Sequence, residues 1–347
     1  MSWEKRMDIT TANVNLYENP LRAQSLIDIL SKDYNVTDES LLRVLAGLGE
    51  ATALCADILN DAPLMHDDKH FGTQNASGDD QLHLDIDCDN AVFKALRQCG
   101  VVAMAASEET PVETVLSSDG IYSIGFDPLD GSSIIDANFA VGGIYGVWKS
   151  QKGVLGLTGR DQIASAISVY GPRTTLVVAI AKPPKSLELT LIHGRSHWKV
   201  TLPRIHLKEE GKIFAPGNLR ASNDNVAYDN LVKYWIENRY TLRYSGGMVP
   251  DVYHMLIKGK GIFTNVSSEK SKAKLRLLYE VAPIGLIVEV SGGRAIHETD
   301  RGVEVLDVVI EDLDQRLGVC MGSSKEVDTY ERFMFTTKTS TTGSTTL

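Results

Sequence analysis

The sequence has 347 residues, of which 43% are hydrophobic and 23% are charged, as in an ordinary globular protein. This composition excludes a chain that is disordered throughout, and the longest apolar run, near residues 281–290, is about half of what a bilayer-spanning helix needs. The 35 Lys and Arg residues against 45 Asp and Glu residues give a net charge of −10. We therefore expect no nucleic-acid partner and no membrane partner, and the excess of carboxylates suits a protein that holds metal cations.

Cysteine content and the start of the sequence bear on the cellular compartment. The four cysteines are too few for a disulfide scaffold and form no C-x-x-C pair, which favours reduced thiols in an intracellular protein. The opening residues, MSWEKRMDITT, show no apolar signal core. These features predict a cytoplasmic protein, or a plastid protein if a transit peptide has been removed.

Helical and strand patterns alternate along the chain. A helix is predicted over residues 41–59 from its apolar spacing, followed by a polar loop over 61–81 and a second helix over 84–98. Short apolar runs then predict strands at 101–106, 121–126, 144–148, 176–181, 187–192 and 198–202. The second half predicts helices at 227–237, 248–257 and 275–290, and strands at 241–244 and 262–266.

This alternation is typical of an α/β protein with layered sheets and helices. No Pro/Ser-rich linker interrupts the chain, so we expect two subdomains in tight contact, over residues 1–215 and 216–334. The Thr/Ser-rich end, residues 335–347, is predicted to be a flexible tail.

The motif with the clearest chemical meaning is DPLDGSS at residues 127–133, which directly follows a predicted strand. Pro128 stiffens the backbone, so that Asp127 and Asp130 are both able to face one cation. Gly131 permits close approach of a ligand, and the amides of the Gly-Ser-Ser segment suit an anion. One short segment therefore predicts metal ligands beside a phosphate-binding turn.

A second acidic motif, Ser107-Glu108-Glu109, ends the preceding predicted strand. Adjacent carboxylates repel one another, and burying them near Asp127 and Asp130 is costly without cations. Divalent metal ions make such a cluster stable. If both strands end at the same sheet edge, the two motifs form a single metal site.

DPLDGSS preceded by SEE resembles the signature of the sugar bisphosphatases, a family within the metal-dependent, lithium-sensitive phosphatases. The resemblance runs from about residue 41 to residue 324, and it is carried further by GDDQLHLD, APGNLR, YTLRYSGGMVPDV, GIFTNV and KAKLRLLYEVAP. It implies a layered α-β-α-β-α fold and hydrolysis of a sugar bisphosphate. It also implies two or three Mg²⁺ ions per site, with Mn²⁺ as an alternative ion, and a homodimer or higher homo-oligomer.

The resemblance also implies a role for individual residues. The implied metal ligands are Glu108, Asp127, the Leu129 carbonyl, Asp130, Glu280 and Asp79. The implied water-activating groups are Glu109, supported by Asp85 and Glu108. The scissile 1-phosphate is matched by Gly131, Ser132 and Ser133. The distal phosphate is matched by Asn218, Tyr244 and Lys274, with Met248 and Arg276 lining the pocket and Arg243 reaching into a neighbouring subunit's site.

Within the family, the sequence is more similar to the branch that cleaves the 1-phosphate of sedoheptulose 1,7-bisphosphate. Thr264 and the pair Gly246-Gly247 remove bulk relative to the fructose-1,6-bisphosphatase pattern, and a seven-carbon sugar needs more room. We therefore expect Thr264 to influence substrate choice. The alternatives are a fructose-1,6-bisphosphatase, an enzyme that accepts both sugars, and a non-catalytic phosphosugar-binding protein. The last is disfavoured because every expected ligand and base position holds a competent residue.

Overall fold

The computed structural model describes residues 17–61, 83–192, 194 and 196–335. Within these ranges the chain forms two β-sheets and the helices that cover them. The predicted polar loop lies outside the described residues except for Asp61, and the predicted tail lies outside them except for Phe335.

The larger sheet has eight strands in the order β2-β1-β3-β4-β5-β6-β7-β8. Its strands are β1 (Val102–Ser107), β2 (Thr114–Val115), β3 (Tyr122–Asp130), β4 (Val141–Trp148), β5 (Gln162–Tyr170), β6 (Thr174–Ile180), β7 (Lys185–Leu191) and β8 (Trp198–Leu202). Strands β1 and β3 are parallel, and every other neighbouring pair in this sheet is antiparallel. The one parallel pair carries both acidic motifs at the same sheet edge.

The smaller sheet has five strands in the order β10-β9-β11-β13-β12. These strands are β9 (Ile213–Pro216), β10 (Thr241–Leu242), β11 (Ile262–Asn265), β12 (Arg294–His297) and β13 (Val319–Gly322). Strand β9 is parallel to β10 and β11, whereas β13 is antiparallel to β11 and β12. Since β9 begins at Ile213, the predicted subdomain boundary at residue 215 falls within a strand.

Seven α-helices occur in the described residues. They are α1 (Pro20–Asp28), α2 (Glu39–Asp61), α3 (His83–Cys99), α4 (Val226–Glu237), α5 (Met248–Lys258), α6 (Ala282–Val290) and α7 (Ser324–Met334). The helix predicted over 275–290 is instead a π-helical turn (Leu277–Val281) that continues into α6. Pro283 explains this, because a proline is tolerated in the first turn of a helix but not in its interior.

Three hydrophobic cores separate the layers. Helices α1 to α3 pack on one face of the large sheet, α5 and α6 lie between the two sheets, and α4 and α7 cover the outer face of the small sheet. This is the predicted layered α-β-α-β-α architecture, which is confirmed. Strand β5 escaped the sequence analysis because it is rich in small residues, including Ser165 and Ser168, which are buried without giving an apolar run.

Candidate active site

An irregularity in β3 places Asp127 and Asp130 on the same side of the sheet. Asp127 pairs with Ile144 of β4 and Asp130 pairs with Gly142, so three steps along β3 match two steps along β4. In a regular strand, residues three apart face opposite sides, whereas one extra residue restores the same side. The first four residues of the motif therefore lie inside a bulged strand, not in a loop after it. Pro128 fits there because a bulge tolerates the missing N–H group.

Glu108 reaches Asp127 through the parallel pairing of β1 with β3. Ser107 pairs with Phe126, and the Glu108 N–H donates to the Phe126 carbonyl over 3.1 Å, which extends the ladder by one residue. The next residue on each strand is then a carboxylate. The prediction that both acidic motifs end neighbouring strands at one sheet edge is confirmed.

Glu280 comes from the π-helical turn, which packs closely on β3. A Cβ atom at Gly125 of β3 would lie 2.5 Å from Leu278 Cδ1 and 2.8 Å from Leu278 Cγ. Only glycine leaves space for this contact, because real Cβ atoms do not approach other carbons so closely. Gly125 therefore permits the approach that brings Glu280 over the two strand ends.

The three carboxylates meet in one cluster. Ligand oxygens of Glu108, Asp127 and Glu280 lie within 4.8 Å of one another, with Asp127 and Glu280 buried. Burial, followed by the charge of Glu108, raises the pKa of both Asp127 and Glu280 well above the usual carboxyl range. Such a group of like charges is stabilised by a positive charge at its centre.

The chemistry of these donors fits a hard divalent cation. Carboxylate oxygens are the ligands that Mg²⁺ takes in proteins, and the charge of a bound cation would oppose the rise in their pKa values. Manganese accepts the same oxygen donors. The structure thus brings together three of the residues predicted as metal ligands. The Leu129 N–H donates to Asp127 Oδ1 over 2.9 Å and fixes the orientation of that carboxylate.

Asp130 has a different environment from the other three acids. Its two oxygens accept the N–H groups of Met248 (3.1 Å) and Val249 (2.6 Å) at the start of α5. Burial raises the pKa of Asp130 to about 7, although these amide hydrogen bonds oppose the rise. A carboxylate at a helix N-terminus is favoured by the exposed amides and the helix dipole. Asp130 therefore links the acidic cluster to α5.

Arg276 is the positive group nearest to the cluster. It forms an ion pair with Glu108, and its Nε donates to Asp314 over 2.9 Å. Its backbone N–H also donates to Glu280 over 2.6 Å. The sequence analysis placed Arg276 in the sugar pocket, and the structure shows it bonded to two residues of the acidic cluster, Glu108 and Glu280. Asp314, which holds the other side of Arg276, was missed because a single acidic residue in a turn carries no sequence signal.

The residues expected to activate water lie on α3 and on the turn that follows β1. Asp85 is buried on the first turn of α3, and Glu109 is half-buried next to Glu108. The turn that carries Glu109 is held to α3, because Thr110 Oγ1 donates to Asp89 over 3.0 Å. Within the turn, the Thr110 N–H donates to Ser107 Oγ over 2.9 Å. Asp79 lies outside the described residues.

The segment predicted to hold the 1-phosphate begins at Gly131, which has a φ of 91° that favours glycine. Ser132 then starts a short 3₁₀ helix (Ser132–Ala137), with Ser132 half-buried and Ser133 exposed. A Cβ atom at Gly131 would lie 3.5 Å from Gly247 Cα. The turn predicted to bind the phosphate therefore packs directly against the loop that precedes α5.

The loop before α5 is held by a residue that the sequence analysis did not single out. Asp251 on α5 is buried and accepts the Ser245 N–H over 2.7 Å and the Gly246 N–H over 3.4 Å. Burial raises the pKa of Asp251 to about 6. An acidic residue near the start of a predicted helix was the available signal. This carboxylate fixes Ser245 and Gly246 in the loop between Tyr244 and α5.

The residues predicted to bind the distal phosphate are spread over one rim. Tyr244 is exposed, and its hydroxyl donates to the Gly217 carbonyl over 2.9 Å. Asn218 is buried, with its amide donors bound to the Val266 and Ser271 carbonyls at 2.9 and 3.1 Å. Lys274 and Arg243 are exposed, whereas Met248 is buried in the core between the sheets. Their roles toward a phosphate stay predictions.

Thr264 does not lie where the sequence analysis expected it. Its side chain is fully buried, and its hydroxyl is 3.0 Å from the Tyr228 hydroxyl in the core beneath α4. This is the outer face of the small sheet, opposite to the face that α5 covers. The expectation that Thr264 enlarges the sugar pocket is wrong, because strand residues alternate in direction and this one points away.

Two family models match consecutive parts of this sequence. The model described as "Fructose-1-6-bisphosphatase, N-terminal domain" matches residues 24–195, and "Fructose-1-6-bisphosphatase, C-terminal domain" matches residues 207–335. This chain belongs to the fructose-1,6-bisphosphatase family. The suspected resemblance to the sugar bisphosphatases is therefore confirmed.

Individual members of the family show how similar the chain is to named proteins. The chloroplastic sedoheptulose-1,7-bisphosphatase of Spinacia oleracea is 43% identical over 90% of this chain and 78% of its own length. A class 1 fructose-1,6-bisphosphatase of Citrifermentans bemidjiense is 36% identical over 90% of both chains. The crystal structure of Leishmania major fructose-1,6-bisphosphatase in holo form superposes with a TM-score of 0.81 at 28% identity, covering 90% of this chain and 99% of that one.

Within the part of the chain that the structure describes, no helix is both long and apolar enough to cross a membrane.

Proposed function

We propose that this chain hydrolyses the 1-phosphate of sedoheptulose 1,7-bisphosphate with the help of Mg²⁺, giving sedoheptulose 7-phosphate and phosphate. The observation that carries this is the cluster of Glu108, Asp127 and Glu280, whose oxygens converge from three different elements within 4.8 Å. The family members that it resembles include proteins named sedoheptulose-1,7-bisphosphatase at 41–44% identity. A sugar-bisphosphate phosphatase is thus supported by both the site and the relatives.

Glu108, Asp127 and Glu280 would hold the metal, with the Leu129 carbonyl, Asp130 and Asp79 as the further ligands that the family resemblance implies. Bound divalent cations lower the pKa of water, neutralise phosphoryl oxygens and stabilise the leaving alkoxide. Glu109, supported by Asp85 and Glu108, would accept the proton of the attacking water, since a carboxylate near the nucleophile is a suitable general base. The hydrogen bond from Thr110 Oγ1 to Asp89, which ties the turn after Glu109 to α3, supports this role.

The scissile phosphate would lie on the segment formed by Gly131, Ser132 and Ser133, next to the cluster. The distal phosphate would lie toward Tyr244, Asn218 and Lys274, with Met248 and Arg276 along the pocket. Lys and Tyr donate hydrogen bonds to phosphate without competing for the metal. This arrangement would separate the phosphate that is cleaved from the phosphate that is only bound.

We also propose that the active unit is at least a homodimer, in which Arg243 enters the neighbour's site. Arg243 is exposed and directly follows β10, the edge strand of the small sheet. Leu242 on that edge is 52% exposed, an apolar side chain that suits a subunit contact.

The plastid is the proposed compartment if a transit peptide precedes the mature enzyme, because the relatives named as sedoheptulose-1,7-bisphosphatases are chloroplastic.

Fructose 1,6-bisphosphate is the second candidate substrate, because class 1 fructose-1,6-bisphosphatases are also relatives at 36% identity. The test is phosphate release from both sugar bisphosphates and from sedoheptulose 7-phosphate, with and without Mg²⁺. Release of one phosphate from the seven-carbon bisphosphate, dependent on Mg²⁺ and lost in Asp127→Asn, would support the proposal. A higher kcat/KM for the six-carbon sugar would assign the second candidate, and no release from either would overturn both.

A further inference from the structure

We propose that Asn265 contacts the distal end of the sugar bisphosphate and contributes to the choice between seven-carbon and six-carbon substrates. This inference rests on the proposed function, since it concerns the substrate of that same site. It starts from the direction in which the side chains of β11 point.

Alternate residues of β11 enter two different cores. Ile262 packs with Tyr228 and Trp235 on the α4 side, whereas Phe263 packs with Met248 and Ala215 on the α5 side. Thr264 follows Ile262, as its contact with the Tyr228 hydroxyl shows. Asn265 therefore shares the face of Phe263, which is the face that α5 covers.

Gly217 confirms this placement independently. A Cβ atom at Gly217 would lie 3.2 Å from Phe263 Cζ and 3.3 Å from Asn265 Nδ2, so both side chains border the same side of that glycine. The Gly217 carbonyl accepts the Tyr244 hydroxyl over 2.9 Å. Asn265 thus lies beside the residue that anchors Tyr244, on the rim where the distal phosphate is expected.

The hydrogen-bonding state of Asn265 differs from that of Asn218, its neighbour on the rim. Asn218 gives both amide hydrogens to backbone carbonyls and accepts the Ser271 hydroxyl over 2.9 Å. Asn265 is half-buried, and its Oδ1 is buried without a hydrogen-bond partner. A buried acceptor without a donor is costly, and a polar ligand that supplies one relieves that cost.

An amide in this position suits the end of a longer sugar. Its terminal torsion is broad and roughly two-fold, and a rotation of about 180° exchanges the amide NH₂ and the oxygen. The amide can therefore present an N–H donor to a phosphate or an oxygen acceptor to a hydroxyl. A seven-carbon sugar places one more hydroxyl-bearing carbon between its two phosphates than a six-carbon sugar does. Because Asn265 is short and faces the site, it would leave room for that carbon and bond to its hydroxyl. A site that hydrogen-bonds a substrate hydroxyl discriminates against a sugar that lacks this hydroxyl more strongly than a site that differs only in size does.

The experiment compares three variants in the full chain with Mg²⁺. Asn265→Ala removes the amide, Asn265→Asp keeps the size but adds a negative charge, and Thr264→Val removes the hydroxyl of the preceding residue on the opposite face. Asn265→Ala is expected to lower kcat/KM for sedoheptulose 1,7-bisphosphate by about ten-fold, and by less than about three-fold for fructose 1,6-bisphosphate. Asn265→Asp should weaken both substrates through repulsion of the distal phosphate, and Thr264→Val should leave the ratio unchanged.

A binding measurement separates this inference from the proposed function. Sedoheptulose 7-phosphate carries only the distal phosphate, so its affinity, measured by calorimetry, needs no catalysis. Weaker binding to Asn265→Ala and Asn265→Asp than to the wild type would support the inference even if the wild type released no phosphate. Equal affinities in wild type and both variants, or equal losses of kcat/KM for both sugars in Asn265→Ala, would overturn it. Thermal melting checks that the variants are folded, and Asn265→Asp replaces Asn265→Ala if the smaller residue is not tolerated.

Discussion

The carboxylate of Asp130 accepts the backbone N–H of Met248 over 3.1 Å, and this contact joins β3 of the large sheet to the first turn of α5. The same carboxylate accepts the Val249 N–H over 2.6 Å. Asp130 belongs to the motif that surrounds the metal cluster, whereas α5 follows the loop that leads to Tyr244. One buried carboxylate therefore links the acidic motif to the start of α5, and a change in its charge would affect both elements.

The buried carboxylates predict a specific dependence of stability on pH when no divalent cation is present. Burial raises the pKa of Asp127 and Glu280 well above the usual range, and that of Asp130 to about 7. A carboxyl with a raised pKa binds more protons in the folded than in the unfolded state, so stability falls as pH rises between the two values. The free energy of unfolding should therefore decrease from about pH 4, the usual carboxyl range, upward through pH 7.

Urea unfolding at pH 5 and pH 8, with EDTA or with Mg²⁺, measures this effect. Asp127→Asn in EDTA should be more stable than the wild type at pH 8 by on the order of 2 kcal/mol, and the difference should shrink at pH 5. Mg²⁺ should stabilise the wild type more at pH 8 and should do less for the variant. Glu237→Gln, an exposed carboxylate on α4, is the control. A wild type whose stability in EDTA rises between pH 5 and pH 8 relative to Asp127→Asn would contradict the prediction.

Gly125→Ala should damage the metal site without touching a ligand. The new methyl group would lie 2.5 Å from Leu278 Cδ1, and the π-helical turn that carries Glu280 would have to shift. Overpacking of this kind costs about 1–3 kcal/mol of stability. The concentration of Mg²⁺ for half-maximal activity should also rise by about ten-fold, since a ligand displaced from its position binds less well.

The second substitution Leu278→Ala tests the cause. It removes the atoms that the new methyl group meets, so Gly125→Ala with Leu278→Ala should need less Mg²⁺ than Gly125→Ala alone. Gly171→Ala is the matched control, because the nearest atom there is the Ala140 Cβ at 3.2 Å, far from the π-helical turn. If Gly125→Ala showed normal Mg²⁺ dependence, the close packing of Leu278 would not position Glu280.

Asp314→Asn should raise the Mg²⁺ requirement, because Arg276 and the cation would compete for Glu108. Asp314 accepts the Arg276 Nε over 2.9 Å, while the same guanidinium pairs with Glu108. With the Asp314 charge removed, Arg276 would pair more strongly with Glu108 and compete with the cation for it. The Mg²⁺ concentration for half-maximal activity should rise about three- to ten-fold, with kcat at saturating Mg²⁺ nearly unchanged. Glu311→Gln, an exposed acid in the same turn, should have no effect. An unchanged Mg²⁺ requirement in Asp314→Asn would show that Arg276 is held by other contacts.

The sequence predicted the layers and the metal cluster because both depend on local patterns. Apolar runs followed by DPLDGSS and SEE indicate two strand ends, and the parallel pair β1–β3 brings them together. The sequence could not predict which face of β11 the residues near 264 occupy, since this depends on which helices cover each face of the small sheet. It also missed Asp251, which acts on one loop, and Asp314, which pairs with arginines, because neither leaves a periodic signal.

Mixing two inactive chains tests whether Arg243 acts on a neighbour. Arg243→Ala should lower kcat/KM by about ten-fold or more, because a charge-assisted contact to phosphate is lost. Asp127→Asn should be inactive because it lacks a metal ligand. In a mixed dimer, the chain with Asp127→Asn still carries Arg243, and the chain with Arg243→Ala still carries an intact metal cluster. One site in each mixed dimer would then be complete.

If subunits exchange freely, equal amounts of the two chains should give about half mixed dimers in a two-fold assembly. Activity should therefore rise to roughly a quarter of the wild-type value per chain, since one site in two works in half of the dimers. Arg243 acting within its own chain would leave the mixture at the average of its two components, and the proposed neighbour contact would be overturned.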